Sequence, residues 1–507
     1  MTDTTSQFDC VIVGGGVNGT GIAADAAGRG LQVLLCEMND LASATSSNSS
    51  KLIHGGLRYL EYYEFRLVRE ALAEREVLLG NAPHIMWPLR FRLPHRPHLR
   101  PAWMIRAGLF LYDNLAKRKH LKPSFGLKFS NQGPLVNEIT RGFEYADGWV
   151  DDARLVVLNA MAAQQHGADI RTRTRCIKAE RISADNAPMW RVTLQDTNTQ
   201  VIDVVLCKTL INAAGPWVSK LFPTLDLKAP KQVRLVKGSH IVVPRIHTDP
   251  EAYILQNEDN RIVFVIPYED EFSLIGTTDV EYSGNPSEAA ISAEEEHYLI
   301  DIVNQHFAKK ISRNDIVWRY SGVRPLMEDE SASASAVTRD YTIETDHPKG
   351  SAPLLSIFGG KITTYRKLAE AAVDRLKAYF PHMATAWTAT ASLPGGDFSS
   401  PAVLQQTLAE SYAFLPDEVI KRYVRTYGTL SHTLLRNVTS LDEMGQCFGH
   451  GLYQKEVDYL IDVEWAQTLE DIIWRRTKLG LFLDANQQQA LQHYLDRLKN
   501  PSASSAA

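Results

Sequence analysis

The sequence predicts an α/β protein in which a second domain is built on antiparallel sheet and a third contains helices only. Three patterns support this prediction. Residues 9–37 follow the order strand, glycine-rich turn, helix and strand, residues 237–276 contain runs typical of paired strands, and from Gly395 onward the patterns are helical. A chain of 507 residues has room for about three domains.

The N-terminal βαβ unit is the first element. Residues 9–13 form an apolar strand, small residues favour a helix to about Ala27, and residues 31–36 form a second strand that ends at Glu37. An acid at this position is placed to hold a ribose hydroxyl, and it disfavours a 2′-phosphate. The unit therefore predicts a site for FAD or NAD rather than NADP.

The turn after the first strand has the spacing G-x-G-x-x-G, at Gly14, Gly16 and Gly19, with Gly15 and Asn18 between them. The first glycine permits a tight turn, the second lets the backbone approach a pyrophosphate, and the third lets the helix pack on the strand. The helix N-terminus offers N–H groups to an anion. The alternative is an empty glycine-rich turn.

A loop rich in hydroxyl groups follows Glu37 and leads to a helix that begins at about Phe65. Its short donors are Thr45, Ser46, Ser47, Ser49 and Ser50. Such a loop suits contacts to phosphate and ribose, and a flexible serine-rich linker is the alternative. Three polar side chains, His54, Arg58 and Tyr59, follow within six residues and indicate a site beside this loop.

Residues 84–128 form a basic segment in a chain whose net charge is −5. Asp113 is its one acid, and its ten cations are Arg90, Arg92, Arg96, Arg100, Arg106, Lys117, Arg118, Lys119, Lys122 and Lys128. Pro101 opens a helix whose broad apolar face and basic flanks are typical of a helix at a membrane surface. A buried helix with a solvated basic rim explains the pattern equally well. Nucleic acid is a weaker interpretation, because neither a helix-turn-helix nor zinc-ligand spacing accompanies the charge.

The middle of the chain returns to strands. Asp151 is placed to cap a helix to about residue 166, and a strand at 168–174 and a polar hairpin to about 205 follow. Residues 207–215 form an apolar strand that ends in small residues, where Gly215 lets the backbone pass close to a cofactor. Lys237, Gly238 and His240 open another strand, and residues 261–267 and 272–276 form a hairpin that leads to Thr277.

A second junction of strand, glycine pair and helix lies at Gly359, Gly360 and Lys361, after a strand that carries Arg324. Its N–H groups suit an anion or a flavin edge, and a simple helix cap is the alternative. The helices beyond Gly395 have predicted starts at residues 400–401, 468–471 and 484, and they carry no catalytic pattern.

Composition excludes several classes of protein. The acidic net charge gives no general reason to expect nucleic acid. The five cysteines are scattered without a C-x-x-C pair, which favours buried thiols in a reducing compartment and predicts no metal site. We expect neither a secretion signal nor a membrane-spanning segment.

The chain closely resembles the FAD-dependent, membrane-associated glycerol-3-phosphate dehydrogenases in the βαβ unit and in five further stretches, SSKLIHGGLRYLE, KGSHIVVP, IGTTDVEY, YSGVRPL and FGGKITTYRKLAE. The resemblance implies a glutathione-reductase-type, Rossmann-like FAD domain at 8–80, 145–225 and 350–390. It implies an antiparallel substrate domain, similar to that of D-amino-acid oxidase, at 81–144 and 226–349, which carries the basic segment as its membrane-facing part. Residues 395–500 would form the helical cap domain.

The same resemblance implies oxidation of sn-glycerol 3-phosphate to dihydroxyacetone phosphate, with hydride passing from C2 to flavin N5 and electrons then passing to ubiquinone or menaquinone. It assigns substrate contacts to Arg58, Tyr59, Thr277, Arg324 and Lys361, and catalytic roles to His54, His240 and Arg324. Expected FAD contacts are Gly14, Gly15, Gly16, Asn18, Gly19, Glu37, Thr45, Ser46, Ser50, Cys176, Gly215, Gly360, Lys361 and Thr363. A histidine is favoured as the base, because an arginine would have to lose its proton.

The expected location is the cytoplasm, at the inner face of the cytoplasmic membrane, on an anionic lipid surface and without nucleic acid; a homodimer is a possible assembly. A soluble oxidase that uses oxygen, or a flavin-binding redox sensor or scaffold without turnover, is the alternative. An amino-acid oxidase needs an arginine for its carboxylate but not three clustered cations. A nicotinamide-linked enzyme is disfavoured, because no second dinucleotide fingerprint is apparent.

Overall fold

The structure is a computed structural model that describes residues 6–259, 261–327 and 341–499, apart from the side chains of Arg58, Glu61 and Tyr62. Its strands are β1 (Gln7–Val13), β2 (Val33–Cys36), β3 (Leu52–Ile53), β4 (Met86–Pro94), β5 (Phe125–Lys128), β6 (Arg141–Val150), β7 (Asp169–Arg171), β8 (Thr174–Ala184), β9 (Ala187–Asp196), β10 (Ile202–Asn212), β11 (Val233–Pro244), β12 (Ala252–Gln256), β13 (Ile262–Tyr268), β14 (Phe272–Gly276), β15 (Val280–Glu281), β16 (Trp318–Met327), β17 (Tyr341–Asp346) and β18 (Leu354–Gly359). Its α-helices are α1 (Val17–Gly28), α2 (Phe65–Asn81), α3 (Ala102–Asn114), α4 (Asp152–Gln165), α5 (Val218–Leu221), α6 (Ala293–His306), α7 (Tyr365–Leu376), α8 (Pro401–Ser411), α9 (Asp417–Tyr427), α10 (Ser431–Leu434), α11 (Gln454–Glu464) and α12 (Ala485–Lys499).

Eight of the described strands form the first sheet, in the order β17-β18-β10-β1-β2-β7 with the β8–β9 hairpin attached to β10. The strands from β18 to β7 run parallel. Helix α1 packs against α4 and α7. The predicted βαβ unit is therefore confirmed as β1, α1 and β2, and the α/β fold class is confirmed with it.

The side chains of β1 alternate between two cores, because successive residues of a strand point to opposite faces. Cys10 and Ile12 pack in the core that contains α1, α4 and α7. Val11 and Val13 pack on the other face, in the core that contains Trp190 of the β8–β9 hairpin. Both faces of the parallel sheet are thus covered, which explains why its strands are apolar throughout.

The carboxyl ends of four parallel strands meet at one edge of this sheet. They are Val13, Cys36, Asn212 and Gly359. Turns that are far apart in the chain are therefore gathered here, as expected for ligand sites in open α/β sheets.

The ten remaining described strands form the second sheet, in the order β15-β11-β14-β13-β12-β4-β6-β3, with β16 on β11 and β5 on β6. Its pairs are antiparallel except for β12 with β4. The hairpin predicted at 261–276 is present as β13 and β14. In register, His240 of β11 lies opposite Gly276 on one side and Tyr320 on the other.

Some strands differ from their predicted ranges. The strand predicted at 207–215 begins at Ile202 and ends at Asn212, because its first residues pair with β9. Strand β17 pairs in the first sheet although 226–349 was assigned to the substrate domain, and β3 and β6 pair in the second sheet. The sheet to which each of these strands belongs is decided by pairing partners that are distant in sequence. The domain ranges otherwise stay a prediction.

Helices α8 to α12 surround a core of their own, which includes Leu408, Tyr423, Leu460 and Leu491. Two predicted helix starts are confirmed by their hydrogen bonds. The Asp471 N–H donates to Thr468 Oγ1 at 3.3 Å, and the Gln487 N–H donates to Asp484 Oδ1 at 2.9 Å. The segment Asp471–Arg476 that follows the first of them is a π-helix.

The structure bears on two predictions made from composition, that the cysteines are buried and that the chain has no membrane-spanning segment. Cys10, Cys36, Cys176 and Cys207 are buried as predicted, but Cys447 is exposed because it lies in a surface turn of the helical domain. Among the described helices, none combines the length and the apolar character that crossing a bilayer requires.

Candidate active site

A cavity of about 1210 Å³ lies where the carboxyl edge of the first sheet meets the second sheet. Small-molecule sites usually measure roughly 300–1,000 Å³, so this one has room for a dinucleotide and a substrate together. Most of the predicted site residues line it, namely Gly14, Gly15, Gly16, Asn18, Glu37, Thr45, Ser46, Ser50, His54, Tyr59, Cys176, Gly215, His240, Thr277, Arg324, Gly360, Lys361 and Thr363. Gly19 does not line it, and the side chain of Arg58 lies outside the described part of the chain.

The three glycines of the first turn have different surroundings. Gly14 has a φ of +120°, and a Cβ there would lie 2.5 Å from the Ala213 carbonyl oxygen. A Cβ on Gly19 would lie 1.9 Å from the Gly14 oxygen, which explains why this glycine packs inside the fold instead of lining the cavity. A Cβ on Gly16 would meet the Ser46 Oγ at 3.2 Å and would otherwise project into open space. The second glycine is therefore the one that leaves room for a ligand.

The N-terminus of α1 presents polar groups to this space. The Val17 N–H donates to Ser46 Oγ at 3.0 Å, and Asn18 Nδ2 donates to the Gly359 carbonyl at 3.2 Å. Asn18 Oδ1 is buried and has no hydrogen-bond partner among the described residues. A helix N-terminus favours negative charge and so fits the pyrophosphate of FAD, while Asn18 Oδ1, which can only accept, fits a hydroxyl group of the cofactor.

Glu37 is fixed by backbone donors. Its Oε2 accepts from the Gly15 N–H at 2.7 Å and its Oε1 from the Asn39 N–H at 2.9 Å. Burial raises the pKa of Glu37, and the two N–H donors oppose that rise. Each carboxylate oxygen has a second lone pair, so Glu37 fits the predicted role of ribose acceptor.

Cys176 and Gly215 both line the cavity without adding charge. Burial raises the pKa of the Cys176 thiol to about 12, so the thiol is neutral near pH 7. Gly215 has a φ of +52°, and a Cβ there would meet nothing within 4 Å. Both residues therefore allow an uncharged part of the cofactor to approach the protein closely.

The hydroxyl loop is a folded part of the site rather than a flexible linker. Thr45 Oγ1 donates to the Val323 carbonyl at 2.6 Å, and Ser50 Oγ lies 2.9 Å from His240 Nε2. These contacts tie the loop of the first domain to strands of the second sheet. The linker alternative is therefore wrong.

Lys51 and Asp152 are site-supporting residues that sequence reasoning missed. Lys51 Nζ lies 2.7 Å from Asp152 Oδ1, and both side chains are almost completely buried. Asp152 Oδ2 also accepts from Ser49 Oγ at 2.7 Å. A lysine within SSKL looks like a surface residue, and its partner lies 101 residues away, so the sequence held no signal for the pair.

Two of the predicted substrate contacts that line the cavity, Arg324 and Lys361, are cations. The Arg324 guanidinium forms an ion pair with Asp279, and its Nη2 donates to the Thr278 carbonyl at 3.1 Å. Lys361 Nζ lies 4.1 Å from the centroid of the Tyr59 ring. Asp279 lies in the stretch IGTTDVEY, two residues after Thr277, but was not predicted as a site residue.

Thr277 and Arg324 meet over Gly238 of β11. A Cβ on Gly238 would lie 2.6 Å from Thr277 Oγ1 and 2.9 Å from Arg324 Nη2. The predicted strand opening at 237–240 thus places a glycine under two predicted substrate contacts. This brings Arg324 next to Gly238, which lies 86 positions earlier in the chain.

The two candidate histidines differ in their surroundings. The His240 ring stacks on Tyr320 with centroids 4.7 Å apart, and burial together with Lys51 and Arg324 lowers the pKa of His240 to about 3. His54 also lines the cavity, and its backbone N–H donates to Thr363 Oγ1 at 3.2 Å.

The basic segment divides into paired and exposed cations. Arg90 and Arg92 both form ion pairs with Glu144, so they support the second sheet rather than a surface. Lys117, Lys119, Lys122 and Lys128 are exposed. The interpretation of all ten cations as one surface patch is therefore corrected.

Helix α3 is not buried, contrary to one of the two alternatives. Trp103 and Phe110 are 70% and 63% exposed, while Leu109 is buried. Its Ile105 and Leu111 line the cavity. The helix thus forms an apolar wall with the cavity on one side and an exposed apolar surface on the other.

Comparison with known proteins agrees with this geometry. A family model described as FAD dependent oxidoreductase matches residues 9–366, and a model of the C-terminal domain of alpha-glycerophosphate oxidase matches residues 386–504. Among solved structures, the glycerol-3-phosphate dehydrogenase of Bacillus halodurans complexed with FAD has a TM-score of 0.74 and 25% identity, and the match covers 98% of this chain and 95% of that one.

Curated relatives match almost the whole chain. The glycerol-3-phosphate dehydrogenase of Pseudomonas aeruginosa is 57% identical over 96% of this chain and 95% of its own length. The aerobic glycerol-3-phosphate dehydrogenase of Escherichia coli is 55% identical over 96% and 97%, and the D-erythritol 1-phosphate dehydrogenase of Brucella abortus is 47% identical over 96% and 97%. The chain therefore belongs to the family of FAD-dependent oxidoreductases that includes these glycerol-3-phosphate dehydrogenases, and FAD is its cofactor.

Proposed function

We propose that the protein oxidises sn-glycerol 3-phosphate at C2 to dihydroxyacetone phosphate and delivers the electrons to a membrane quinone. The observation that carries the proposal is that two cations, Arg324 and Lys361, line the cavity that also fits FAD, and that Arg324 meets Thr277 over Gly238. A phosphate that is close to dianionic needs fixed cations, and a guanidinium can grip it with two parallel hydrogen bonds. Bound FAD supplies the hydride acceptor.

Asp279 and the Thr278 carbonyl orient Arg324 for this role. Both engage Nη2, so the plane of the guanidinium is set before substrate arrives. Lys361, held over the Tyr59 ring, adds a second positive charge. By the family resemblance, Arg58 is the third cation.

We assign the proton-accepting role at the C2 hydroxyl to His54 rather than His240. A general base works best when its pKa lies near the operating pH. The pKa of His240, lowered to about 3, leaves that imidazole too weak a base. His240 instead accepts or donates a hydrogen bond with Ser50 and holds that loop in place.

The test is anaerobic titration of the purified holoenzyme with sn-glycerol 3-phosphate, followed by flavin absorbance. We expect bleaching, and in Arg324→Gln a half-saturating concentration roughly 10- to 100-fold higher, because a charged hydrogen bond contributes about 1.5–3 kcal/mol. Arg319→Gln is the matched control, since Arg319 lies on the same strand but pairs with Glu296. Unchanged titration of Arg324→Gln would remove this arginine from the substrate site.

D-Erythritol 1-phosphate is the second candidate substrate, because a relative that acts on it is 47% identical. The same titration compares the two phosphates. The lower half-saturating concentration and faster bleaching identify the substrate, and the absence of bleaching with either would refute the proposed reaction and favour a sensor or scaffold.

Helix α3 supports the quinone and membrane parts of the proposal. Its Ile105 and Leu111 line the cavity, and Trp103 and Phe110 on the same helix are exposed. A lipid-soluble acceptor held in a bilayer could approach the cavity along this wall. Exposed Lys117, Lys119, Lys122 and Lys128 would each add about 1 kcal/mol of attraction to anionic lipid. We therefore place the enzyme at the inner face of the cytoplasmic membrane.

Reoxidation of the bleached enzyme separates quinone from oxygen as acceptor. We expect a soluble quinone analogue to restore the flavin colour quickly and air to restore it slowly. Fast recovery in air with formation of peroxide would instead identify an oxidase.

A further inference from the structure

We propose that the helical C-terminal domain clamps the adenosine half of the FAD site through its π-helical segment Asp471–Arg476, here called the clamp segment. The charged side chains of the clamp segment fix the loop of residues 37–40 and the turn at Arg173. These two stretches carry and flank Glu37, the acid that fits the ribose. π-Helical turns are rare and are often found at functional sites.

The first arm of the clamp joins Arg476 to Asp40. The Nη1 of Arg476 donates to Asp40 Oδ2 at 2.8 Å and its Nη2 to Oδ1 at 2.8 Å, which is a bidentate pair. The Arg476 side chain is 0% exposed and that of Asp40 is 1% exposed. Arg475 Nε donates to the same carboxylate at 2.6 Å. Two arginines of the helical domain thus hold a carboxylate three residues beyond Glu37.

The second arm joins Asp471 to Arg173. The Nη2 of Arg173 lies 2.9 Å and 2.7 Å from the two oxygens of Asp471, whose side chain is fully buried. The Arg173 N–H donates to the Asn39 carbonyl at 2.9 Å, and the Thr174 N–H donates to the Glu37 carbonyl at 2.7 Å. The clamp segment therefore reaches Glu37 from both sides of its loop.

The position of these contacts indicates a specific effect on the FAD site and not merely attachment of one domain to another. They converge on residues within three positions of Glu37 and on the turn that leads to Cys176, which lines the cavity. Because the charges are buried, the loop cannot shift without leaving a charge unpaired. Arg475, Arg476 and Asp471 are therefore positioning residues: they act on FAD through the loop and need not touch it.

The experiment measures FAD retention by the holoenzyme and needs no turnover. Holoenzyme is diluted, and free flavin is separated by ultrafiltration over time. We expect Arg476→Gln and Asp40→Asn each to release FAD at least 10-fold faster than the unchanged protein. The double variant should release it no faster than the quicker single variant, because both changes disrupt the same Arg476–Asp40 pair. Arg476→Lys, which keeps the charge, should recover part of the retention.

Two matched controls disturb the helical domain without touching the loop. Arg422→Gln breaks a buried ion pair with Glu456 inside that domain. Trp474→Leu removes a ring of the clamp segment that stacks on Trp318 of the second sheet, with centroids 4.1 Å apart. Both should lower the thermal midpoint, yet at temperatures below unfolding they should release FAD at the unchanged rate.

Two outcomes would overturn the proposal: wild-type retention in both Arg476→Gln and Asp40→Asn, or release from Arg422→Gln as fast as from Arg476→Gln. If circular dichroism shows that Arg476→Gln does not fold, Arg475→Gln takes its place under the same criteria. Since free FAD is the readout, a failure here is distinct from a failure of the proposed substrate or acceptor.

Discussion

At the residue scale, two glycines of the first turn have different roles: Gly19 is needed for folding and Gly16 for cofactor binding. A Cβ on Gly19 would lie 1.9 Å from a backbone oxygen, whereas one on Gly16 would meet a single side-chain oxygen at 3.2 Å and project into the cavity. We expect Gly16→Ala to fold but to lose at least 10-fold in FAD affinity, a cost of about 1.4 kcal/mol or more. Gly19→Ala should fail to fold.

Flavin content and circular dichroism of the purified variants measure this difference. Gly126→Ala in β5 is the control, because Gly126 is exposed and away from the cavity, and a Cβ there would meet only the Gly142 carbonyl oxygen at 4.0 Å. Normal flavin content in Gly16→Ala would show that this glycine is not at the pyrophosphate.

The buried pair of Lys51 and Asp152 gives a second prediction at this scale. Lys51→Met leaves the Asp152 carboxylate buried without its cation, which typically costs about 3–5 kcal/mol. We expect a large fall in the thermal midpoint and partial recovery in the double variant with Asp152→Asn. Lys178→Met removes an exposed pair with Glu180 and should cost about 0–1 kcal/mol. Equal falls in Lys51→Met and Lys178→Met would contradict this account.

At the element scale, α3 carries the proposed membrane contact. Trp103 and Phe110 expose most of their surface to solvent. Interfacial helices bind through buried apolar area together with charge, so Trp103→Ser with Phe110→Ser should reduce binding to anionic vesicles at least 10-fold. Val201→Ser with Ile202→Ser removes comparably exposed apolar groups from the first residue of β10 and the residue before it, and is the control.

Cosedimentation with vesicles that contain anionic lipid measures this binding. The triple variant Lys117→Gln, Arg118→Gln and Lys119→Gln tests the charge separately. Arg118 also pairs with Asp113, so we expect most of its effect to come from the two lysines. Full retention of both sets of variants on the vesicles would exclude α3 as the contact.

Elements that rest on local signals could be predicted from the sequence. The βαβ unit, the start of α2 at Phe65 and the cap of α4 at Asp151 depend on neighbouring residues, and they are confirmed. The roles of Arg90 and Arg92 depend on Glu144, more than 50 positions away, and composition cannot show that such arginines are already paired. The membership of β17 in the first sheet was missed for the same reason.

In the candidate site, too, residues with a local sequence signal could be predicted, and residues defined by distant partners could not. Its glycines were predicted because their spacing follows the backbone geometry of a known turn, and its hydroxyl groups because they are dense in the loop after the second strand. Lys51 and Asp279 were missed, because their roles depend on the side chains with which they pair, and a single sequence does not reveal these partners. The low pKa of His240 also required the fold, since it arises from burial and from two cations that lie elsewhere in the chain.

At the scale of the whole molecule, buried histidines link stability to pH. His84, His240, His247 and His306 are buried, and the pKa values of these groups are lowered to about 3, 3, 4 and 4, first of all by desolvation. In the unfolded chain a histidine binds its proton near pH 6.5, so between that pH and the folded pKa the unfolded state holds more protons. Stability must therefore fall as pH falls below about 6.5, by about 1.4 kcal/mol per pH unit for each such histidine.

We expect the thermal midpoint of the holoenzyme to be nearly constant from pH 8 to pH 7 and to drop steeply from pH 6.5 to pH 5. His84 lies against Phe398 between the first domain and the helical domain, away from the cavity lining. His84→Gln should make the drop shallower by the contribution of one buried histidine, because glutamine takes up no proton. His297→Gln, at a side chain that is 78% exposed, should leave it unchanged. An equal drop in His84→Gln and the unchanged protein would show that the His84 imidazole does not contribute to the acid sensitivity.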